Sequence, residues 1–382
     1  MRKDFLVFGS PLIEQPEIDE VVASLKSGWI GTGPKVYKFE QMFKEYKGSK
    51  FAIALNSCTA ALHLSMLAID IKPGDEVIVP TMTFAATANS VIHAGGTPIF
   101  ADCERDTMNI DPKDIERKIT PRTRAIIPVH FAGRPCNMDE IMRIAKKYDL
   151  KVIEDCAHAI ESEYHGKKIG TFGDLGCFSF YVTKNIVTGE GGMVITDNEE
   201  YASKIKVLAL HGMSKDAWRR FSDEGYKHYQ IIYAGFKYNM MDIQAAMGIH
   251  QLARIDKYLQ RRKEIWGRYN DAFKGLSVFI PAPVEIDTSH AYHLYTLLLN
   301  IDNLKITRDQ LLDAMTKQNI GVGVHYIALH LHPYYQQTYG YKKGDFSNAE
   351  WISDRTVSIP LSAKLNDTDV ECVVNAVECT LK

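Results

Sequence analysis

The sequence KVIEDCAH at residues 151–158 has the pattern of an apolar strand that ends in a carboxylate, Asp155. It is followed by GCFSFYVTKN at residues 176–185, a second apolar run that carries a hydroxyl and then one lysine, Lys184. The sequence GEGG comes next, at residues 189–192, and permits a tight turn of phosphate size. This part of the chain therefore combines an acid, a lysine and a flexible turn.

Lys184 and Asp155 are a candidate catalytic pair. A lysine in so apolar a run is poorly solvated, which disfavours its ammonium form and makes the amine available as a nucleophile. Pyridoxal phosphate requires an imine-forming lysine and an acid for its ring nitrogen. Taken singly, each residue is more simply structural, a surface lysine with a buried stem or an aspartate that caps a helix. Their combination predicts a site for this cofactor.

The surrounding sequence alternates between strand and helix patterns. Strands are predicted at residues 76–80, 97–101, 124–129 and 151–154, and helices at 17–26, 59–69, 85–94, 112–119 and 138–148. Continuous apolar strands separated by helices indicate an α/β fold with a mainly parallel sheet covered on both faces. Ligands of such sheets gather at the carboxyl ends of the strands, where Asp155 is expected.

The pattern changes after residue 248. Residues 249–273 are predicted to form one long amphipathic helix. Beyond it, strands are predicted at residues 293–299, 321–326 and 356–361, and helices at 308–318 and 367–381. We therefore expect a large cofactor-binding domain over residues 1–248, with the N-terminal segment included. A long connecting helix and a smaller C-terminal α+β domain would occupy residues 249–382.

Composition and charge exclude several classes of partner. The chain of 382 residues is 46% hydrophobic and 24% charged, which is typical of a soluble globular protein. A net charge of -2 provides no general attraction to nucleic acid or anionic membranes, and the basic stretches 219–220 and 261–263 are interpreted as solvated helix faces. The N-terminus lacks a signal-peptide pattern and no long apolar span occurs. These features predict a cytoplasmic protein without membrane or nucleic-acid partners.

Neither cysteines nor histidines predict a metal site. The seven cysteines are scattered and are interpreted as small buried hydrophobic residues in a reducing compartment. His330 and His332 would share one face of a strand but lack a third ligand nearby.

The order of the motifs resembles the DegT-type family of sugar aminotransferases, which are fold-type I pyridoxal-phosphate enzymes acting on nucleotide-linked keto sugars. The resemblance is carried by residues 27–34, 56–62, 74–80, 83–87, 128–133, 154–159, the Lys184 segment, 235–240 and 323–326. It covers nearly the whole chain. It implies that Lys184 forms the imine with the cofactor and moves a proton, and that Asp155 keeps the pyridine nitrogen protonated.

The resemblance also implies roles for other cofactor contacts. Phe84 would stack on the cofactor, although a core aromatic is the alternative, and His158 would lie near its phenolic oxygen, with a core histidine as the competitor. The phosphate would be bound by Cys58, Thr59, Ser179 and Lys237. Without Lys184 nearby, the Ser57–Thr59 sequence would mean only a helix cap.

Two positions differ from many relatives. Many relatives carry Asn-Tyr-Arg where this chain has Lys237-Tyr238-Asn239, and the asparagine of those relatives reaches the cofactor phosphate of the neighbouring subunit. Lys237 can provide a charge for the same phosphate. Cys58 stands where many relatives have glycine or alanine, which is compatible with a contact through its backbone N–H. The resemblance thus implies a homodimer with shared active sites.

The substrate is expected to be an NDP-linked 4-keto sugar, with L-glutamate as amino donor and 2-oxoglutarate as its product. Residues 27–34, 211–218 and 323–326 resemble most the branch that aminates UDP-4-keto-pentoses, such as the 4-amino-4-deoxy-L-arabinose enzymes, and similar segments occur in enzymes for 4-keto-6-deoxyhexoses. Trp29, Gly31, His325 and Tyr326 are the candidate substrate-binding residues.

The alternatives are a pyridoxal-phosphate-dependent sugar dehydratase and a non-catalytic regulatory member of the same fold. Related dehydratases replace the imine lysine with histidine, so Lys184 favours transamination.

Overall fold

The computed structural model describes residues 2–214 and 229–381 of the chain. The basic pair at residues 219–220 and part of the segment 211–218, which entered the substrate prediction, lie outside the described residues.

Strands and helices alternate through the first half of the chain. The described strands are β1 (Phe51–Leu55), β2 (Glu76–Pro80), β3 (Thr97–Ala101), β4 (Thr123–Ile126), β5 (Lys151–Asp155), β6 (Glu163–Tyr164), β7 (Lys167–Lys168), β8 (Leu175–Ser179), β9 (Gly192–Thr196), β10 (Val278–Phe279), β11 (Thr288–Ser289), β12 (Tyr295–Leu299) and β13 (Thr356–Ile359). The described α-helices are α1 (Gln15–Ser27), α2 (Pro34–Lys47), α3 (Cys58–Ala68), α4 (Ala85–His93), α5 (Pro112–Lys118), α6 (Met138–Tyr148), α7 (Glu199–Leu208), α8 (Asp242–Ala253), α9 (Ile255–Phe273), α10 (Arg308–Lys317), α11 (Pro333–Tyr339), α12 (Ser347–Ser353) and α13 (Asp367–Leu381).

A seven-stranded sheet in the order β1-β9-β8-β5-β4-β2-β3 forms the centre of the molecule. Strand β9 is antiparallel to both of its neighbours, whereas every other neighbouring pair is parallel. The predicted α/β architecture with a mainly parallel sheet is therefore confirmed. Strands β2 and β9 are buried along their whole length, which explains their continuous apolar sequences.

Helices cover both faces of this sheet. Val77 and Val79 of β2 belong to a core cluster with α3, α4 and α7, whereas Ile78 belongs to a second cluster with α2, α6 and α8. This alternation follows from the two-residue period of a strand, which sends successive side chains to opposite faces. A third cluster joins α9, α10 and α13 to β12 and β13 in the C-terminal region.

The prediction of one helix over residues 249–273 is wrong. Helix α8 begins earlier, at Asp242, and the helical path breaks at Arg254, whose φ and ψ are -114° and 12°. The side chain of Arg254 is held by Glu14 at 3.1 Å and by Glu17. The two helices also pack against different partners, α8 against α1 and α2, and α9 against α13. Two packing directions cannot be satisfied by one straight helix.

The predicted strand at residues 321–326 is also absent. Among the described residues, backbone pairing in this segment involves only Gly321, whose N–H donates to Leu6 O at 2.8 Å, and Gly323, which exchanges hydrogen bonds of 2.9 and 2.8 Å with Ser358. Farther along, Leu329 N donates to Thr81 O at 2.8 Å and draws the chain toward the central sheet. His330 consequently lies in a short 3₁₀ helix and not on a strand with His332.

The sequence patterns had also not predicted α2, β1, β9 or α7. Across residues 2–214 and 229–381, no helix is both long and apolar enough to cross a lipid bilayer. The division of the chain at residues 248 and 249 stays a prediction, and this position lies inside α8.

Candidate active site

Asp155 lies at the carboxyl end of β5, where its buried side chain is oriented by two hydrogen bonds. Thr87 Oγ1 donates to Oδ2 at 2.8 Å, and the N–H of Ala157 donates to Oδ1 at 3.1 Å. Burial raises the pKa of Asp155, and these two hydrogen bonds and the charge of Lys184 oppose that rise. The carboxylate is thus fixed in place but lacks a full set of partners, which suits a cationic ligand group.

Lys184 lies in the turn that follows β8, because the strand ends at Ser179 and does not extend through the whole apolar run. The turn is closed by the N–H of Lys184, which donates to Tyr181 O at 2.8 Å. Burial lowers the pKa of the Lys184 amine to about 8, opposed by the nearby Cys58 and Asp155. A larger fraction of this amine is therefore neutral at pH 7 than for an ordinary lysine.

Phe84 stands immediately before α4 with 63% of its surface exposed, so it is not a core aromatic. Its ring centroid is 6.3 Å from that of Tyr326. An exposed aromatic face at a sheet edge is available for stacking on a planar ligand.

A candidate phosphate site lies where α3 begins. Ser57 caps the helix by accepting the N–H of Ala60 at 3.1 Å, which leaves the first N–H groups, those of Cys58 and Thr59, pointing out of the helix end. The Cys58 side chain is buried and Thr59 is exposed. The helix cap and the anion site are therefore compatible, since they use different N–H groups.

Ser179 is brought close to the start of α3 by a close approach of two backbone segments. It pairs with Gly192 in the register of β8 and β9, and Gly192 also pairs with Leu55 at the end of β1. A side chain at position 192 would collide with the backbone of Ser57 and Cys58. Glycine is required there by this contact, which explains part of the glycine-rich sequence after Lys184.

Lys237 is exposed, and its Nζ donates to Asn239 Oδ1 at 2.6 Å. Its segment runs beside the end of β1, because Asn56 N donates to Tyr238 O at 2.7 Å. Lys237 is therefore near the start of α3 in its own chain. Its contact with a neighbouring subunit stays a prediction.

His158 and Tyr326 pack together on the Lys184 side of the sheet. The N–H of Ala132 donates to His158 Nδ1 at 3.2 Å, and His158 Nε2 lies 3.3 Å from the Tyr326 hydroxyl. Burial lowers the pKa of His158 well below its usual range, and the charge of Lys184 adds to this effect. His158 is thus neutral, with its hydrogen on Nε2, and donates to Tyr326.

His325 is half-buried and its Nδ1 lies 2.9 Å from Ser358 Oγ. Burial, followed by the charge of Lys184, lowers the pKa of His325 to about 4. Burial raises the pKa of the Tyr326 hydroxyl, with Asp155 adding to the rise. Both side chains are therefore uncharged hydrogen-bonding groups at neutral pH.

Trp29 and Gly31 lie on the exposed loop between α1 and α2. Gly31 O accepts the N–H of Asp242 at 2.7 Å, and Trp29 is 51% exposed. Within the described part of the chain, no hydrogen bond or ring contact joins Trp29 to Lys184 or Tyr326.

Several neighbours of the site had not been predicted, namely Thr87, Glu161, Asn185, Arg262 and His293. Asn185 directly follows Lys184, and this adjacency was the available signal. The other four are distant in sequence from Lys184, and only folding brings them near it.

One buried group has metal-ligand chemistry among the described residues: His130, Glu154 and Cys156. The Glu154 oxygens accept the N–H groups of Gly170, Phe172 and Gly173 at 2.7–2.8 Å, and His130 Nε2 lies 3.2 Å away. Because these hydrogen bonds already use the oxygens, we interpret the group as a structural brace.

These groups fit the parts of pyridoxal phosphate. The buried acid suits its ring nitrogen, and the lysine with a lowered pKa suits its aldehyde. The exposed aromatic ring suits the face of the cofactor, and the helix N-terminus suits its phosphate. This combination defines a fold-type I pyridoxal-phosphate enzyme. Residues 11–378 match the model of the DegT/DnrJ/EryC1/StrS aminotransferase family, and the chain belongs to that family.

Similar proteins agree with this assignment. The spore coat polysaccharide biosynthesis protein SpsC of Bacillus subtilis is 49% identical over 382 residues, which cover 100% of this chain and 98% of SpsC. An uncharacterized protein of Methanocaldococcus jannaschii is 57% identical over 378 residues, covering 99% of this chain and 98% of the relative.

Solved structures of sugar aminotransferases share the fold. The PLP form of Spr1654 from Streptococcus pneumoniae is 32% identical with a TM-score of 0.91, covering 99% of this chain and 100% of the other. Helicobacter pylori PseC, an aminotransferase involved in the biosynthesis of pseudoaminic acid, is 29% identical with a TM-score of 0.91 and covers 99% of both chains. The protein is thus a pyridoxal-phosphate-dependent sugar aminotransferase, as the sequence had predicted.

Proposed function

We propose that the protein transfers the amino group of L-glutamate to the ketone of an NDP-linked 4-keto sugar, with UDP as the expected nucleotide. The products are 2-oxoglutarate and an NDP-4-amino sugar for cell-surface glycan synthesis in the cytoplasm. The observation that carries this proposal is the convergence of Asp155, Lys184 and the exposed Phe84 at one end of the central sheet. The polysaccharide role in the name of SpsC supports the class of product.

Lys184 is proposed to hold the cofactor covalently through its amine and, once released, to move the proton at the amine-bearing carbon of the substrate. Bound pyridoxal phosphate supplies the electron sink for that step. A pKa of about 8 allows Lys184 to accept and return this proton near neutral pH.

Asp155 is proposed to hold a proton on the ring nitrogen, since its negative charge favours the cationic form of that nitrogen. Thr87 and the N–H of Ala157 fix the two carboxylate oxygens for this contact. His158 is proposed to lie beside the phenolic oxygen, and Phe84 against the ring face.

The phosphate is proposed to bind to the backbone of Cys58 and Thr59, to Ser179, and to Lys237 of a second subunit. The working unit would then be a homodimer with shared active sites. His325 and Tyr326 would contact the sugar, and Trp29 and Gly31 would contact the substrate from their loop.

Purified protein tested against a panel of NDP-4-keto sugars provides the decisive assay. We expect glutamate-dependent formation of 2-oxoglutarate with at least one UDP-linked member. Loss of a sugar hydroxyl without glutamate consumption would indicate a dehydratase, and complete inactivity with bound cofactor would favour a regulatory role. Either result would overturn the proposal.

Subunit mixing tests the shared site. Lys184→Ala and Lys237→Ala proteins are mixed under conditions that exchange subunits, once each variant alone has been found to be severely impaired. If the sites are shared, one site of each heterodimer carries both substitutions and the other carries neither, so activity should reappear. A fully active monomer, or exchange without recovery, would exclude the shared arrangement.

A further inference from the structure

Asn185, the residue after Lys184, has an amide whose orientation is fixed by three hydrogen bonds. Its Nδ2 donates to Glu161 Oε2 at 2.8 Å and to Ala291 O at 3.1 Å. A carboxylate and a carbonyl are acceptors, so the amide nitrogen must lie on that side. The amide oxygen therefore faces His293, whose Nδ1 is 2.9 Å away.

Glu161 forms a buried ion pair with Arg262. The side chains of Arg262 and Glu161 are only 3% and 1% exposed. Arg262 Nε also donates to Ala291 O at 3.3 Å. A flipped Asn185 amide would oppose its oxygen to two acceptors in a buried environment, which is strongly unfavourable.

This arrangement determines where His293 carries its hydrogen. The Asn185 oxygen can only accept, so Nδ1 of His293 must be the protonated nitrogen. Burial lowers the pKa of His293 well below its usual range, so the ring is neutral and its Nε2 has a free lone pair. Among the described residues, no hydrogen bond to this Nε2 is present.

The neighbouring His158 has the opposite tautomer. Its Nδ1 accepts the N–H of Ala132, so its hydrogen is on Nε2. The two rings pack against each other in a tilted arrangement, with centroids 4.4 Å apart and an angle of 35° between their planes. After burial, the charge of Lys184 contributes most to the lowered pKa of His293, and the His158 ring that packs on His293 also packs on Tyr326. His293 therefore lies in the wall of the active site and not in a remote part of the core.

We propose that Asn185 is a positioning residue that holds His293 in the Nδ1–H tautomer, so that Nε2 accepts a hydrogen bond from a hydroxyl of the bound sugar. The identity of the sugar as substrate rests on the proposed function, whereas the tautomer does not.

The tautomer is measured on cofactor-free protein labelled with ¹⁵N-histidine. Ring nitrogen shifts distinguish protonated from unprotonated nitrogens, and the His293 signals are identified by their loss in His293→Gln. We expect wild-type His293 to be protonated at Nδ1 and His158 at Nε2. In Asn185→Ala, His293 should move toward the Nε2–H form while His158, the internal control, stays unchanged. Wild-type His293 protonated at Nε2 would overturn the proposal even if the Asn185 variant does not fold.

Kinetics test the assignment of the sugar hydroxyl. We expect Asn185→Ala and His293→Leu to raise KM for the keto sugar roughly tenfold, with KM for glutamate unchanged. A rise in KM for glutamate instead would assign the acceptor to the donor's ammonium group and contradict the hydroxyl assignment. No change in either KM would exclude an acceptor role. If no NDP-4-keto sugar is a substrate, the proposed function fails separately, and the NMR result still decides the tautomer.

Discussion

The two faces of β5 each contain a buried acid and a buried lysine, but the proposed catalytic site lies on only one face. Glu154 and Lys47 lie toward the cluster that contains α2, whereas Asp155 and Lys184 lie on the opposite face. Burial lowers the pKa of both lysines to about 8. A depressed lysine pKa is therefore not sufficient to identify a catalytic lysine.

The faces differ in how completely their polar groups are paired. Glu154 accepts backbone N–H groups and pairs with His130, so its pKa is lowered although burial alone would raise it. Lys47 is 3% exposed, donates to Ile160 O at 3.0 Å and lies over the Phe178 ring at 4.8 Å. Asp155 has fewer partners and a raised pKa. The incomplete pairing on the Asp155 face provides the capacity to bind a ligand.

The largest expected effect separates the two lysines. Lys184→Ala should lower turnover by on the order of 10²–10⁴, because the nucleophile and proton carrier are removed. Lys47→Met, the matched control, should leave turnover nearly unchanged. Borohydride should bleach the yellow holoenzyme by fixing the cofactor to Lys184, as shown by peptide mapping. Cofactor found on Lys47, or on no lysine, would refute the distinction.

The two acids should also respond differently in turnover. Asp155→Asn removes the charge that keeps the ring nitrogen protonated, so turnover should fall far more than cofactor affinity, which depends mainly on phosphate contacts. Glu154→Gln should retain substantial turnover in molecules that fold. Cofactor titration and steady-state rates check this prediction. Near-wild-type turnover of Asp155→Asn with cofactor bound would mean that Asp155 only caps the end of the strand.

In the cofactor-free protein, Asp155→Asn and Glu154→Gln should change the free energy of unfolding in opposite directions. The raised pKa of Asp155 means that folding disfavours its charge, so this carboxyl stabilises the fold below its unfolded pKa and loses that contribution as pH rises through the folded pKa. Asp155→Asn should therefore increase the free energy of unfolding near pH 7 by about 1 kcal/mol.

The contribution of the Glu154 carboxyl to stability has the opposite dependence on pH. Its lowered pKa gives stability above the unfolded pKa, which is lost as pH falls through the folded pKa. Glu154→Gln should lower the free energy of unfolding near pH 7 by about 1–3 kcal/mol, because an amide NH₂ would face buried N–H donors. Urea unfolding of both variants at several pH values measures the difference, and changes of the same sign would contradict this account.

The smallest expected effect concerns Thr87, which donates to Asp155 Oδ2. Thr87→Val removes a hydrogen bond to the charged form, so the pKa of Asp155 should rise further and the acidic limb of turnover should move up by about one pH unit. Thr83→Val is the matched control, since Thr83 contacts Thr87 and not Asp155. If the acidic limb of turnover moved in Thr83→Val but not in Thr87→Val, the result would show that Thr87 does not orient Asp155.

The parallel sheet and the pair of Asp155 and Lys184 were predictable from sequence because they depend on local patterns. A fully buried strand must be apolar along its length, as in β2, and its period places successive residues on opposite faces. The order of the motifs then predicted the family and its cofactor, both of which are confirmed.

Other features depended on contacts between distant segments. The break at Arg254 coincides with its ion pairs to Glu14 and Glu17. The segment 321–326 pairs with two different parts of the chain, through Gly321 with Leu6 and through Gly323 with Ser358. Neither has a local sequence signal, because the competing partners are hundreds of positions away or in another packing layer. Local propensity does not determine which of two distant segments becomes the packing partner.

The sequence by itself determined the alternation of elements, the acid at the end of β5 and the lysine after β8, because these follow from periodicity and hydrophobicity along the chain. Only the tertiary structure decided which acid is fully paired, which lysine is enclosed, and which nitrogen of His293 carries hydrogen. Those properties depend on the hydrogen-bond partners that surround each buried group, and folding assembles these partners from separate parts of the chain.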